Sequence, residues 1–270
     1  MVSFMKQLTR RSIAEEFALT ETGAGGWQAR VERSWRGWTG PHGGVIAALL
    51  IEVARAAAAE PLPVRAVDLR FLGRPTEDLL TFRVTEHAVG RSTVVLEVYA
   101  DQGGNPVAGA SVTLGRTVAS DVADYAGAPA PRVPDPDSCA PFALPPEIVP
   151  ASAHFTIRPA AGPLPLTAAD EPMMCAWIGL VPELPANAAT LAILADALPP
   201  AVFPTLRGPV AIPTVTLSMH LHHVPTGDFP VLVRTANAST GGGWSVDDTL
   251  IWDRNGRLLA SARQTRRVLG

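Results

Sequence analysis

The chain has 270 residues, of which 17% are charged and 47% hydrophobic, with a formal net charge of −3 and a pI near 6.1. That balance gives no electrostatic case for nucleic acid. The length allows two ordinary domains, and the low charge implies a large buried interior that extends to a subunit interface. No apolar run approaches the roughly 20 residues that span a bilayer; Val45–Ala59 is broken by Glu52 and Arg55. Lys6, Arg10 and Arg11 lead into Ile13-Ala14-Glu15-Glu16 and not into an apolar stretch, so no signal peptide and a cytoplasmic location are expected. Cys139 and Cys175 have neither metal nor redox spacing. They read as buried, idle thiols, with a disulfide as the alternative.

In chain order, Trp27–Trp35 alternates as a short strand. Gly37–Gly44 is a glycine-rich entry to a helix over Val45–Ala58, which is apolar nearly all round and therefore expected to be buried on most sides. Strands follow at Val64–Leu72, Leu79–Val89, Ser92–Asp101 and Val107–Leu114, with Gly90-Arg91 and Gly103-Gly104-Asn105 as turns. Val118–Pro150, rich in Pro, Ala and Asp, reads as a linker that wraps from one half to the other. The second half opens with a strand at His154–Arg158 and a loop at Gly162–Pro172. Met173–Leu180 is apolar and reads as helix or strand. Ala188–Ala197 is a helix stopped before Leu198-Pro199-Pro200. Strands are then predicted at Thr214–His223, Pro230–Ala238, Ser245–Trp252 and Leu258–Val268, the last hairpin turning at Asp253-Arg254-Asn255-Gly256.

This order repeats itself. Pro63–Pro75 and Pro213–Pro225 are both alternating strands ending at proline, and Val107–Thr113 matches Leu259–Thr265. Each half reads as a strand, a buried helix and a four-strand antiparallel meander, an arrangement that buries the helix against the sheet. The halves are residues 1–117 and 151–270, with 118–150 between them. Where the first copy has Val112, the second has Gln264. A polar residue at a core-type position in one copy suggests one working site.

Several segments resemble the acyl-CoA thioesterase II family. In the first half they are Gly40-Pro41-His42-Gly43-Gly44, Phe71-Leu72-Gly73-Arg74-Pro75 and Val89-Gly90-Arg91-Ser92. In the second they are Ala195-Asp196-Ala197, Met219-His220-Leu221-His222 and Gly256–Gln264. The resemblance implies an α+β, double hot-dog fold: two antiparallel sheets, continuous across the pair, each wrapped around a central helix. It also implies hydrolysis of an acyl-CoA thioester to a carboxylic acid and free CoA, with no cofactor or metal, by a homodimer or larger homo-oligomer. The alternatives are an enoyl-CoA hydratase-like enzyme and a non-catalytic acyl-binding protein. Asp196 has no histidine near it in the chain, which disfavours the hydratase.

By the same resemblance Asp196, Thr214 and Gln264 are the catalytic set, Asp196 as base and the other two holding the attacking water. From the residues alone, Asp196 reads as a capping carboxylate before the prolines. Thr214 reads as a β-branched strand residue, and Gln264 as a buried amide needing partners. Thr214 also shares parity with Thr216, Ser218 and His220, opposite Val215, Leu217 and Met219, so it reaches the site only through twist or a bulge near Pro213. Gln264→Val reads as a swap that copies Val112 and keeps stability. His42, Gly43 and Gly44 are the candidate substrate-binding residues, the glycines because a helix N-terminus offers free N–H groups; close packing of the helix is the competing reason for them. Leu49, Leu50 and Ile193 are expected to line an acyl tunnel. His220, His222 and His223 read as structural, since no third metal ligand is evident. No Gly-x-Ser-x-Gly elbow, phosphate loop, dinucleotide fingerprint or zincin motif occurs.

Overall fold

The computed structural model describes residues 11–125, 127–223 and 229–269. Lys6, Arg10 and Pro225 lie outside them. The elements, in chain order, are α1 (Ile13–Glu16), β1 (Thr20–Gly23), β2 (Gly26–Val31), α2 (Gly43–Ala57), β3 (Val64–Phe71), β4 (Asp78–Val89), β5 (Thr93–Gln102) and β6 (Asn105–Gly115). They continue with β7 (Phe155–Ala161), β8 (Met173–Leu180), α3 (Ala188–Ala195), β9 (Thr214–Leu221), β10 (Val231–Gly241), β11 (Trp244–Trp252) and β12 (Leu258–Arg267).

All twelve strands form one antiparallel sheet, in the order β1-β2-β4-β5-β6-β3-β9-β12-β11-β10-β8-β7. The two halves of this order mirror each other about the β3–β9 pair. Ala66 lies opposite His220 and Arg70 opposite Thr216, so a pseudo-twofold passes near Asp68 and Ser218, where the Ser218 hydroxyl donates to Asp68 Oδ1 at 2.6 Å. The halves are not four-strand meanders. Only β4-β5-β6 and β10-β11-β12 run as meanders, while β3 and β9 cross over to pair with β6, β12 and each other. That crossover places β3 and β9 at the centre and joins the halves without an edge.

Helix α2 packs on β3, β4, β5 and β6 and against α3. Gly44 through Ile51, Val53 and Ala54 are all buried. Helix α3 starts with a capping box: the Asn187 side chain accepts from Thr190 N at 2.9 Å, and Thr190 Oγ1 accepts from Asn187 N at 2.8 Å. Helix and sheet share one core, including Leu49, Leu69, Leu96, Val112, Leu191 and Ile251. At the two-residue turns Gly103-Gly104 and Gly242-Gly243 every φ is positive, between 58° and 81°, as a type I′ hairpin requires.

Residues 127–142 do wrap. They cross the outer face of the second half, where the Trp252 and Trp177 indoles donate to Ala128 O and Pro134 O, each at 2.9 Å. A second cluster forms beneath them from Cys139, Cys175, Trp177, Leu232 and Trp252. Strand β8 is covered on both faces, which is why Met173–Leu180 shows no alternation. The segment then returns to the first half: Ala151 N donates to Arg36 O at 2.8 Å, and Trp35 stacks on His154 at 3.8 Å between centroids.

Both cysteines are free and buried, and burial pushes the Cys175 thiol up to about 11. A thiol-reactive dye should therefore label neither residue in the native protein and both after denaturation. Rapid labelling of native Cys139 or Cys175 would contradict the packing of residues 127–142 over β8 and β10.

Candidate active site

The C-terminal end of α3 meets the N-terminal end of α2. The C-cap of α3 is Asp196, and a carboxylate there opposes its own helix dipole. Its position becomes favourable because it lies over the N-terminus of α2. That N-terminus has no side-chain cap of its own; Gly44 N donates to Asp196 Oδ2 at 3.0 Å. In return, His42 Nε2–H donates to the Asp196 carbonyl at 3.0 Å. A Cβ on Gly43 would stand 2.8 Å from Asp196 Oδ2, and one on Gly44 2.8 Å from Ala192 O and Ile193 Cα. The glycines thus permit both the carboxylate contact and the helix packing. Gly44 N–H is committed to Asp196, whereas Gly43 N–H has no protein partner among the described residues.

Strand β12 brings Gln264 to the same carboxylate, and β9 brings Thr214 to Gln264. Gln264, 2% exposed, donates from Nε2 to Asp196 Oδ1 at 2.8 Å and to Thr214 Oγ1 at 3.3 Å. The register of β9 on β12 slips between Thr265 and Arg266, which pair with Thr216 and Thr214. Val215 is the extra residue of this bulge, and it turns Thr214 onto the face of Leu217 and Met219. The matching strand β3 carries the same slip at Arg65.

Two site residues escape the sequence reading. Arg266, 6% exposed, donates from Nη1 to Thr214 Oγ1 at 2.8 Å and from Nη2 to Gln264 Oε1 at 2.6 Å. Its Nη2 is 3.6 Å from Asp196 Oδ1. Its Nε is 3.0 Å from Asp247 Oδ2, a charge contact off the line of a hydrogen bond. Asp247, fully buried, also accepts from Ala201 N at 3.1 Å and Asn237 Nδ2 at 3.0 Å. The signal for Arg266 was its parity with Ala260, Ala262 and Gln264. This network also corrects the expectation for Gln264→Val, which would strand a buried Arg266 N–H and cost about 1–3 kcal/mol.

The pairing registers define the equivalent positions of the first half. Thr214, Asp247, Gln264 and Arg266 correspond to Val64, Leu96, Val112 and Leu114. All four are buried.

Above the polar set opens a cavity of about 350 Å³, lined by His42, Gly43, Asp196, Thr214, Arg266 and apolar side chains that include Ile46, Phe71 and Phe155. Leu49, Leu50 and Ile193 do not line it; each is fully buried in the core. A second cavity of about 250 Å³ is its pseudo-twofold mate: Leu62, Pro63, Val64, Asn187 and Leu221 stand where the first has Ile212, Pro213, Thr214, His42 and Phe71. Among the described residues no cluster of His, Cys, Asp or Glu could hold a metal, and no helix is long and apolar enough to cross a membrane.

Solved structures share this fold. A hot-dog protein of unknown function from Alicyclobacillus acidocaldarius has a TM-score of 0.88 at 22% identity over 96% of this chain and 98% of its own. An acyl-CoA thioesterase II from Mycobacterium marinum has 0.75 at 18% over 96% and 98%. Family models for the acyl-CoA thioesterase N-terminal and C-terminal domains match residues 31–115 and 133–268. The chain belongs to the acyl-CoA thioesterase family and is a thioester hydrolase. No curated protein matches it.

His42 is 8% exposed. Burial lowers its pKa below 6.5, against opposing pulls from the Asp196 charge and carbonyl. Among the described residues its Nδ1 has no protein partner. Below pH about 6.5 the unfolded chain takes up a proton that folded His42 refuses, so stability present at higher pH is lost as pH falls. Denaturation between pH 7.5 and 5.5 (about two units around the imidazole range) should show falling stability, with a shallower slope in His42→Gln. Equal slopes would mean that His42 titrates freely in the folded protein.

Proposed function

We propose that Asp196, Thr214 and Gln264 hydrolyse the acyl-CoA thioester by directing one water at its carbonyl carbon. The observation that carries this reading is the single hydrogen-bonded set of carboxylate, hydroxyl and amide beneath an apolar cavity. Thr214 Oγ1 already accepts from Gln264 and Arg266, so its O–H is left to donate to the water. The water gives a proton to Asp196 as its oxygen bonds to the carbonyl carbon. Gln264, bonded to both Asp196 and Thr214, holds the carboxylate and the hydroxyl in place about that water. The free Gly43 N–H, at the positive end of α2, meets the developing oxyanion. The C–S bond then breaks, the sulfur takes the proton, and carboxylic acid and CoA leave.

The cavity lies within the roughly 300–1,000 Å³ of small-molecule sites, and its apolar wall of Ile46, Phe71, Phe155, Phe203 and Ile212 suits an acyl chain. We assign one site per chain, on a double hot-dog built from residues 1–117 and 151–270 with 118–150 between them. Among the described residues the outer face of β4–β6 exposes Leu79 and Tyr99, and we assign the expected homo-oligomer to it. A cytoplasmic setting agrees with the free thiols. The hydratase alternative gains one observation: the fold brings His42 Nε2 to 3.9 Å from Asp196 Oδ2.

Incubation with an acyl-CoA panel should release free CoA, and Asp196→Asn should lower turnover on the order of 10²-fold or more while remaining folded. Undiminished hydrolysis by this variant would remove Asp196 from the chemistry. Hydration of an enoyl-CoA without CoA release would favour the alternative instead. In sedimentation, a species larger than one chain is expected at micromolar concentration; a clean monomer would refute the homo-oligomer.

A further inference from the structure

We propose that the buried Arg266–Asp247 pair is the positioning element of the active site, fixing the orientation of the Gln264 amide and the Thr214 hydroxyl. This rests on the assignment of Thr214 and Gln264 to the reaction.

The donor and acceptor inventory carries the argument. Gln264 must present Nε2 to the acceptors Asp196 Oδ1 and Thr214 Oγ1. Its amide could also turn over, exchanging nitrogen and oxygen. Arg266 Nη2, which only donates, forbids that turn by occupying Oε1 at 2.6 Å. The same guanidinium donates to Thr214 Oγ1 at 2.8 Å. With both acceptor places filled, the hydroxyl proton cannot turn inward to Gln264 and must point outward. One planar fork thus sets two rotors at once, which a lysine ammonium, a single point of charge on a flexible stem, does not do.

Asp247 makes this arrangement sustainable. It faces Arg266 Nε, and it is itself fixed by Ala201 N on the loop after α3 and by Asn237 on β10. Its charge offsets that of Arg266, so the pair brings no net charge to the cavity floor. Arg266 is therefore a poor anchor for an anionic group of the substrate.

The pseudo-twofold supplies an independent argument. The equivalent positions hold Leu114 and Leu96, both buried in the apolar core. The sheet can evidently pack at these positions without charges. The pair occurs in the half that also carries Thr214 and Gln264, and its mates in the half with Val64 and Val112 are leucines.

The test is the double variant Asp247→Leu with Arg266→Leu, which removes both buried charges together and copies the first half. It should fold, keep KM within about twofold and lose about 10- to 100-fold in kcat, the cost of misplaced reacting groups. Arg266→Lys keeps a cation against Asp247 and covers the case in which the double variant does not fold; it should show the same fall in kcat at unchanged KM. Wild-type kcat in either folded variant would overturn the proposal, as would a change confined to KM. Asp196→Asn, assayed alongside, separates the two readings. If it is inactive while the Arg266 variants are fully active, only the positioning role fails. If it is fully active, the site assignment beneath it fails.

Discussion

The structure depends on a reciprocal contact between two helix ends. Helix α2 begins without a cap and offers free N–H groups; α3 ends in a carboxylate that its own dipole disfavours. Each defect is met by the other: Gly44 N–H binds the Asp196 side chain, and His42 binds the Asp196 carbonyl. Such a charge at a helix N-terminus contributes about 0.3–1 kcal/mol when exposed and up to about 2 when partly buried. The contact also builds the proposed site. It draws a carboxylate from the second half onto a helix of the first, beside a cavity that neither half could close alone.

The pseudo-twofold shows where the two halves differ. Both have the same strand pairing, the same bulge and a cavity at the equivalent place. One lines its inner strand face with Thr214, Asp247, Gln264 and Arg266; the other fills those positions with Val64, Leu96, Val112 and Leu114. Buried polar groups contribute little net stability and are costly when unpaired. A half that performs no chemistry gains by replacing the whole set with apolar side chains.

Much of this was legible in the sequence. Matched alternation around Pro63 and Pro213 revealed the repeat, the all-round apolar run after Gly44 revealed α2, and the contrast of Val112 with Gln264 pointed to the half that holds the buried polar network. What escaped has physical causes. Alternation is a rule for regular strands, and the Val215 bulge breaks it where Thr214 must turn inward. Met173–Leu180 was ambiguous because the chain's own residues 127–142 cover its outer face. Arg266 lies one residue before the end of its strand, where an arginine ordinarily reads as solvated, and its burial depends on Asp247 from a neighbouring strand. The tunnel assigned to Leu49, Leu50 and Ile193 failed because helices in contact through Gly44 leave no space between them.

The central claim is that chemistry occurs at one of two related cavities, at the junction of α2 and α3. A crystal structure with a non-hydrolysable acyl-CoA thioether tests it most directly. The account predicts one molecule per chain, its acyl group against Phe71 and Phe155 and its reacting centre between Asp196 and the Gly43 N–H. An analogue seated instead in the cavity of Val64 and Asn187, or one whose reacting centre lies away from Asp196, would contradict it.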